Sequence, residues 1–196
     1  EHRYDRSEIA ATATELSGKT LGVVGLGRIG QNIARIAMAF GMAAIGTKRT
    51  PNPNLMVDEI FRPEQLHEML PKCDFLVLAV PLTEETRALI GKEEIERMKD
   101  GSYLINVARG AMVDPDALAQ ALISGKLAGA GLDVFTQEPL PPESPLWDLP
   151  NIILTPHTAG SSPGYGKRAA DIFRTNLNAF LSGGEMINVY RPERQY

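Results

Sequence analysis

A short apolar run, three spaced glycines and an amphipathic helical segment follow one another between Thr20 and Phe40, and few folds accept that order. TLGVVGL (20–26) has the length and β-branched content of a strand, and RIGQNIARIAMAF (28–40) carries apolar residues at helical spacing. Ile29, Ile33, Ile36, Ala37 and Phe40 are expected on the face that meets the rest of the molecule. The join, VVGLGRIG (23–30), contains Gly25-x-Gly27-x-x-Gly30. Alone this spacing is a weak signal; between a strand and a helix it is a strong one. The first glycine permits a tight turn, the second lets backbone approach a pyrophosphate, and the third lets helix and strand pack closely. Backbone N–H groups from Gly25 to Gly30, those of Arg28 and Ile29 included, would then hold an anion with help from the helix dipole. The competing reading is a glycine-rich turn without a ligand; the fit of both flanking elements weighs against it.

From Lys19 onward, strand-like and helix-like segments alternate. MAAIG (42–46) reads as a second strand, and Pro51 and Pro53 interrupt regular structure in the loop at 50–54. Next come a helix near 63–70, the strand FLVLAV (75–80), a helix near 91–98 and the strand SYLINVA (102–108). Asp114-Pro115 would cap and start a helix near 114–124. The strands GAGLDVF (129–135) and NIILT (151–155) flank a Pro-rich loop at 137–150, and a last helix over 164–182 ends at Gly183-Gly184. This alternation predicts an α/β fold, a doubly wound parallel sheet of the Rossmann kind. Near-continuous apolar strands suit a sheet covered on both faces. Residues 1–17 read as a linker or arm, 18–162 as a dinucleotide-binding domain, and 163–196 as a returning helix and tail.

The chain has 196 residues, 43% hydrophobic and 22% charged, with a formal net charge of −4. That is enough for one well-buried core. A mildly acidic chain without a Lys/Arg block argues against a nucleic-acid groove. Its apolar stretches fall well short of the ~18 residues a membrane span needs, so no membrane partner is expected, and no signal peptide is visible. The single cysteine, Cys73, excludes an intramolecular disulfide and fits a reducing cytoplasm. Beside Asp74 it reads as a half-buried structural thiol, and no metal ligand set is expected. His2 and His67 read as structural or solvent-facing, and Trp147 and Leu149 as anchors of the 137–150 loop. The chain begins at Glu1 and not at Met, which leaves room for residues upstream.

At the end of its second strand an NAD-binding unit places Asp or Glu, about 20 residues in, to bond the ribose 2′-OH. Here that region reads Gly46-Thr47-Lys48-Arg49-Thr50. Two cations and two hydroxyls suit a 2′-phosphate, which an acid would repel. NADP is therefore expected over NAD; the competing reading is a solvated basic loop beside a site that takes NAD.

Arg109, Glu138 and His157 each lie just past the downstream end of a predicted strand. In an open parallel sheet, ligands bind outside the carboxyl ends of the strands. Singly, each residue is more often a surface or loop group. A cation, a carboxylate and an imidazole at three such ends together make a candidate acid/base site.

With these residues in view, the sequence resembles the D-isomer-specific 2-hydroxyacid dehydrogenases. LSGKTLGVVGLGRIG (16–30), LINVARGAMVD (104–114), GAGLDVFTQEPLP (129–141) and PLWDLPNIILTPHTAG (145–160) carry the resemblance, which spans the family's cofactor domain from Leu16 to Tyr190. It implies Arg109, Glu138 and His157 as the catalytic set. It also implies cofactor contacts from Gly25, Gly27, Arg28, Ile29 and Gly30, from the second-strand end at Thr47, Lys48 and Arg49, and from Val80-Pro81, Ala108, Asp133, His157 and Gly160. The family's second-strand acid aligns with Lys48. Formate dehydrogenases of the superfamily pair the histidine with Gln, so Glu138 favours hydroxyacid chemistry. The implied reaction is hydride transfer between NADP or NAD and C2 of a small 2-oxo or 2-hydroxy acid. Arg109 would bind the carboxylate and polarise the carbonyl, His157 would exchange the proton, and Glu138 would hold the imidazolium. Asp133 would accept a hydrogen bond from the nicotinamide carboxamide. Family members insert this domain into a substrate domain built mainly from upstream residues. The chain is thus expected to bind cofactor yet be poorly active alone, with 163–196 returning toward an incomplete substrate domain. A homodimer is implied. Dehydrogenase-like transcriptional corepressors keep a similar triad, so a dinucleotide-sensing binding protein is the competing function.

Overall fold

The computed structural model describes residues 13–50 and 55–192. Its strands are β1 (Thr20–Val24), β2 (Ala43–Thr47), β3 (Glu59–Phe61), β4 (Phe75–Leu78), β5 (Ser102–Asn106), β6 (Leu127–Leu132) and β7 (Ile152–Leu154). They form one parallel sheet in the order β3-β2-β1-β4-β5-β6-β7. The α-helices are α1 (Arg28–Ala39), α2 (Leu66–Met69), α3 (Lys92–Arg97), α4 (Pro115–Ser124) and α5 (Tyr165–Ser182). The chain winds outward from β1 to β3, then returns to β4 on the other side of β1. This is the doubly wound α/β architecture that the alternation predicts.

Two hydrophobic clusters cover the sheet. One packs α1 against β1 and β2 around Val23, Ala34 and Ala44. The other joins β4, β5 and β6 to α2, α3 and α4 around Leu76, Leu104 and Leu118. Central strand residues such as Val23, Leu76, Leu78 and Leu104 are fully buried, as expected of a sheet covered on both faces. α4 starts as the sequence predicts: the Asp114 carboxylate accepts N–H bonds from Asp116 (2.9 Å) and Ala117 (3.2 Å) ahead of Pro115.

Several expectations need correction. The buried face of α1 is Gly30, Ala34 and Ala37, while Ile29, Ile36 and Phe40 are 64%, 50% and 60% exposed. Close approach selects small residues there: a Cβ on Gly30 would lie 2.1 Å from the Gly25 carbonyl oxygen. The segment near 63–70 is a broken run, with 3-10 turns at Pro63–Gln65 and Leu70–Lys72 around a single turn of α2; Pro71 has no N–H to continue the helix. β3 was not anticipated. Cys73 is fully buried, and burial pushes its thiol up to about 12. Leu146 anchors the 137–150 loop, with Leu149 packed partly against the core; Trp147 lies outside, its indole N–H donating to the Pro141 carbonyl (2.9 Å). His67 meets Glu94 (2.9 Å). His2, most of the 1–17 arm and the loop at 51–54 lie outside the described residues. Among the described residues, no helix is long and apolar enough to cross a membrane.

Candidate active site

The winding reverses between β1 and β4, the place where an open α/β sheet binds ligands outside the carboxyl ends of its strands. Gly25 has φ +99°, and a Cβ on it would strike Val80 Cγ1 at 2.4 Å and the Ala79 carbonyl at 2.9 Å. The turn after β1 and the Val80-Pro81 turn after β4 are therefore in contact, which only glycine permits. Gly27 has the opposite surroundings: it is exposed, with no atom within 4 Å of an added Cβ. It stands at the N-terminus of α1, where no side chain caps the helix and the first turn holds no acid. The first-turn N–H groups and the helix dipole thus face an open, acid-free cradle, which fits a dinucleotide pyrophosphate.

The end of β2 is stitched to this turn. Gly25 N–H donates to the Thr47 hydroxyl (3.0 Å), Leu26 N–H to the Thr47 carbonyl (2.9 Å), and Lys48 Nζ to the Leu26 carbonyl (2.7 Å). Thr47 is buried and braces the turn from below, whereas Arg49 is exposed and forms an ion pair with Glu85.

Three neighbouring strands position the candidate acid/base residues. Arg109 lies three residues past β5, Glu138 in the loop past β6, and His157 three residues past β7. Buried Asn106 shapes the first turn, its Oδ1 accepting from Ala108 N–H (3.0 Å) and its Nδ2 donating to the Arg109 carbonyl (2.9 Å). Ala108 is buried beneath, and the Arg109 guanidinium donates to its carbonyl (2.7 Å). Gly110 then brings this turn against the next: a Cβ there would fall 1.9 Å from the Phe135 carbonyl carbon. Glu138 Oε1 accepts from Phe135 N–H (3.0 Å), and Oε2 meets His157 Nδ1 at 2.7 Å. The hydrogen bond from His157, the Phe135 N–H, and the charges of His157 and Arg109 hold the Glu138 carboxyl below its ordinary range. One carboxylate thus feels both the His157 ring and the Arg109 guanidinium. With Glu138 ionised, Nδ1 carries the shared proton and Nε2 remains to exchange one.

His157 itself sits in the left-handed region (φ 54°), an uncommon conformation for a residue other than glycine. Its N–H donates to the Asp133 carbonyl (2.8 Å). The Asp133 side chain accepts from the Thr155 hydroxyl (2.5 Å) and the N–H groups of Thr158 and Ala159 (both 2.9 Å). Burial alone would raise this carboxyl; those three donors, with the His157 charge, carry it below the usual range instead. An ionised carboxylate has about four acceptor sites, so one remains for a further donor. Gly160, at the end of the same turn, is exposed with open space around it. The bracing roles of Asn106, Gly110 and Asp133 escape sequence reasoning; the only signal is a polar residue closing each apolar strand and a glycine directly after Arg109.

Residues 1–159 match the family model described as D-isomer specific 2-hydroxyacid dehydrogenase, NAD binding domain. A glyoxylate reductase of Korarchaeum cryptofilum is 44% identical over 179 residues, which cover 91% of this chain and 54% of that protein. A D-isomer specific 2-hydroxyacid dehydrogenase from Xanthobacter autotrophicus Py2, solved with NADPH and MES, aligns with TM-score 0.84 and 37% identity, covering 91% of this chain and 73% of that one. An NADPH-dependent glyoxylate/hydroxypyruvate reductase from Sinorhizobium meliloti, solved with NADP and sulfate, aligns with TM-score 0.87 and 30% identity, covering 97% and 63%. The chain spans about half the length of the curated relatives it matches. Glycine turn, strand order, strand-end residues and these matches agree: the chain belongs to the D-isomer specific 2-hydroxyacid dehydrogenase family, through its NAD-binding domain.

Proposed function

We propose that this chain is the cofactor half of a reductase that interconverts small 2-oxo and 2-hydroxy acids, with Arg109, Glu138 and His157 as its catalytic residues. The observation that carries the reading is the 2.7 Å His157–Glu138 contact, with the charge of Arg109 acting on the same carboxylate, at the same carboxyl edge of the sheet as the glycine turn. When bound, the nicotinamide supplies or accepts the hydride. Arg109 binds the substrate carboxylate through a planar, permanently charged fork and polarises the adjacent carbonyl. His157 Nε2 donates a proton to the developing alkoxide and recovers it in the oxidative direction. Glu138 fixes the ring orientation and stabilises the imidazolium. Asp133 holds the His157 turn and offers its remaining acceptor site to the carboxamide. The relatives named for glyoxylate and hydroxypyruvate support a short 2-oxo acid as substrate.

NADP is the preferred dinucleotide in this reading. Lys48 and Arg49 stand where an acid would serve NAD, and two structural relatives were solved with NADPH or NADP. Residues 18–162 form the cofactor domain, and 163–196 belong to the substrate domain. α5 supports that division: it buries none of its residues, and Phe173, Phe180 and Leu181 are about 70% exposed. All three catalytic side chains also lie open to water, so the chain by itself binds cofactor and turns over little without a second wall to exclude solvent. The apolar stripe of Ile29, Ile36 and Phe40 supports a homodimer, and the free thiol of Cys73 supports a reducing, cytoplasmic setting.

The test uses a protein of the relatives' full length carrying this domain. His157→Gln should lower glyoxylate reduction by about 10²–10⁴-fold with NADPH binding retained; wild-type turnover in that variant would refute the assignment. Fluorescence titration settles the cofactor. The NADP reading fails if NADH binds more tightly, or if Lys48→Asp with Arg49→Ala leaves the preference unchanged.

A further inference from the structure

We infer that Glu85 sets the strength of 2′-phosphate recognition, by holding the Arg49 guanidinium and competing with the phosphate for it. The inference rests on the NADP reading above. β2 and β4 flank β1, and the Gly25–Gly30 turn follows β1. Arg49 lies two residues past β2 and Glu85 in the loop past β4, so their ion pair joins the loops on either side of that turn. The neighbouring Lys48 already reaches the turn through the Leu26 carbonyl. In a dinucleotide fold the ribose 2′ position meets the end of the second strand. A phosphate there arrives at the place where the Arg49–Glu85 pair sits.

Both side chains are open to solvent, 46% and 75% exposed, so Arg49 can change partner without backbone movement. A guanidinium fork matches carboxylate and phosphate by the same bidentate geometry, so the two anions are rivals for one set of N–H donors. A dinucleotide without the 2′-phosphate does not enter that competition. Glu85 therefore weakens NADPH binding selectively, and it does so through Arg49.

The experiment titrates NADPH and NADH against the wild-type chain, Glu85→Gln, Arg49→Gln and the double variant. Exposed ion pairs measured in double-mutant cycles correspond to a factor of about 1.4 to 5 in an equilibrium constant. Glu85→Gln should tighten NADPH by about two- to fivefold, leave NADH unchanged, and lose its effect when Arg49 is already Gln. Unchanged or weaker NADPH binding in Glu85→Gln overturns the inference, because Glu85 would then support Arg49. A gain that persists without Arg49 overturns it too, as direct repulsion alone. The two readings separate cleanly. If Arg49→Gln loses NADPH selectively but Glu85→Gln gains nothing, only the role of Glu85 falls. If Arg49→Gln leaves the NADPH preference intact, the phosphate-binding role of Arg49 falls with it.

Discussion

Replacing Gly110 by Ala tests how the Arg109 and Glu138 turns are held together. The added Cβ would lie 1.9 Å from the Phe135 carbonyl carbon, 2.2 Å from its oxygen and 2.4 Å from Thr136 N. Carbon atoms pack at about 3.5–4.0 Å, so the backbones must separate by roughly 2 Å. Every opposing atom is main chain, so no side chain can swing aside. Overpacking of this kind costs about 1–3 kcal/mol, and at about 2 kcal/mol per molar of urea that lowers the unfolding midpoint by about 0.5–1.5 M. The displacement also acts on Glu138, whose Oε1 depends on Phe135 N–H. Misplacing a catalytic group by about 1 Å can reduce turnover about 10²-fold. Urea titration of the chain should therefore show the lower midpoint, while NADPH binding at the distant glycine turn stays intact. Gly131→Ala is the control, since its Cβ would meet only Ile105 side-chain carbons at 3.8 Å. If Gly110→Ala unfolds with the wild-type midpoint, the close approach of the two turns is wrong.

Other perturbations give distinct outcomes. Asp133→Asn sets an amide donor against the N–H of Thr158 or of Ala159, and should cost about 1–3 kcal/mol in urea unfolding; no loss would mean the His157 turn holds itself. The folded-state values of Glu138 and Asp133 lie below the unfolded ones. Their contribution is therefore present above the ordinary carboxylate range of about 4 and disappears as pH falls through the folded values. Urea midpoints should therefore fall as pH is lowered through that range, less steeply in Glu138→Gln. Asp114→Ala removes both cap bonds of α4 and should lower stability by about 0.5–2 kcal/mol. Cys73 should resist thiol reagents in the folded chain and react once urea unfolds it; fast labelling of the native protein would contradict its burial.

The parts of this fold that sequence reveals are those where one residue type has one physical use. Gly25 and Gly30 sit where any side chain would strike backbone or a neighbouring turn, and Asp114-Pro115 caps a helix by a mechanism visible in two letters. Strand ends were legible because apolar runs stop at polar residues, which placed Arg109, Glu138 and His157 along adjacent strands. The orientation of α1 was only partly legible: Ile33 and Ala37 meet the core as expected, whereas Ile29, Ile36 and Phe40 do not. Hydrophobic spacing counts large residues, whereas close packing on β1 and β2 selects Gly30, Ala34 and Ala37. β3 has only three residues, too few for a period to show. The bracing network of Asp133 depends on which donors β7 and its loop bring near, and tertiary contact decides that.

In the proposed function, His157 stands at the nicotinamide end of the dinucleotide site, paired with Glu138 and near Arg109. The chain has three histidines, so the His157 ring can be followed by NMR as NADPH is added. Its resonances should move together with the Arg109 guanidinium signals while those of His67 stay fixed, and Glu138→Gln should alter the response. Saturating cofactor that shifts the Gly25–Gly30 amides but leaves the His157 ring untouched would contradict that placement.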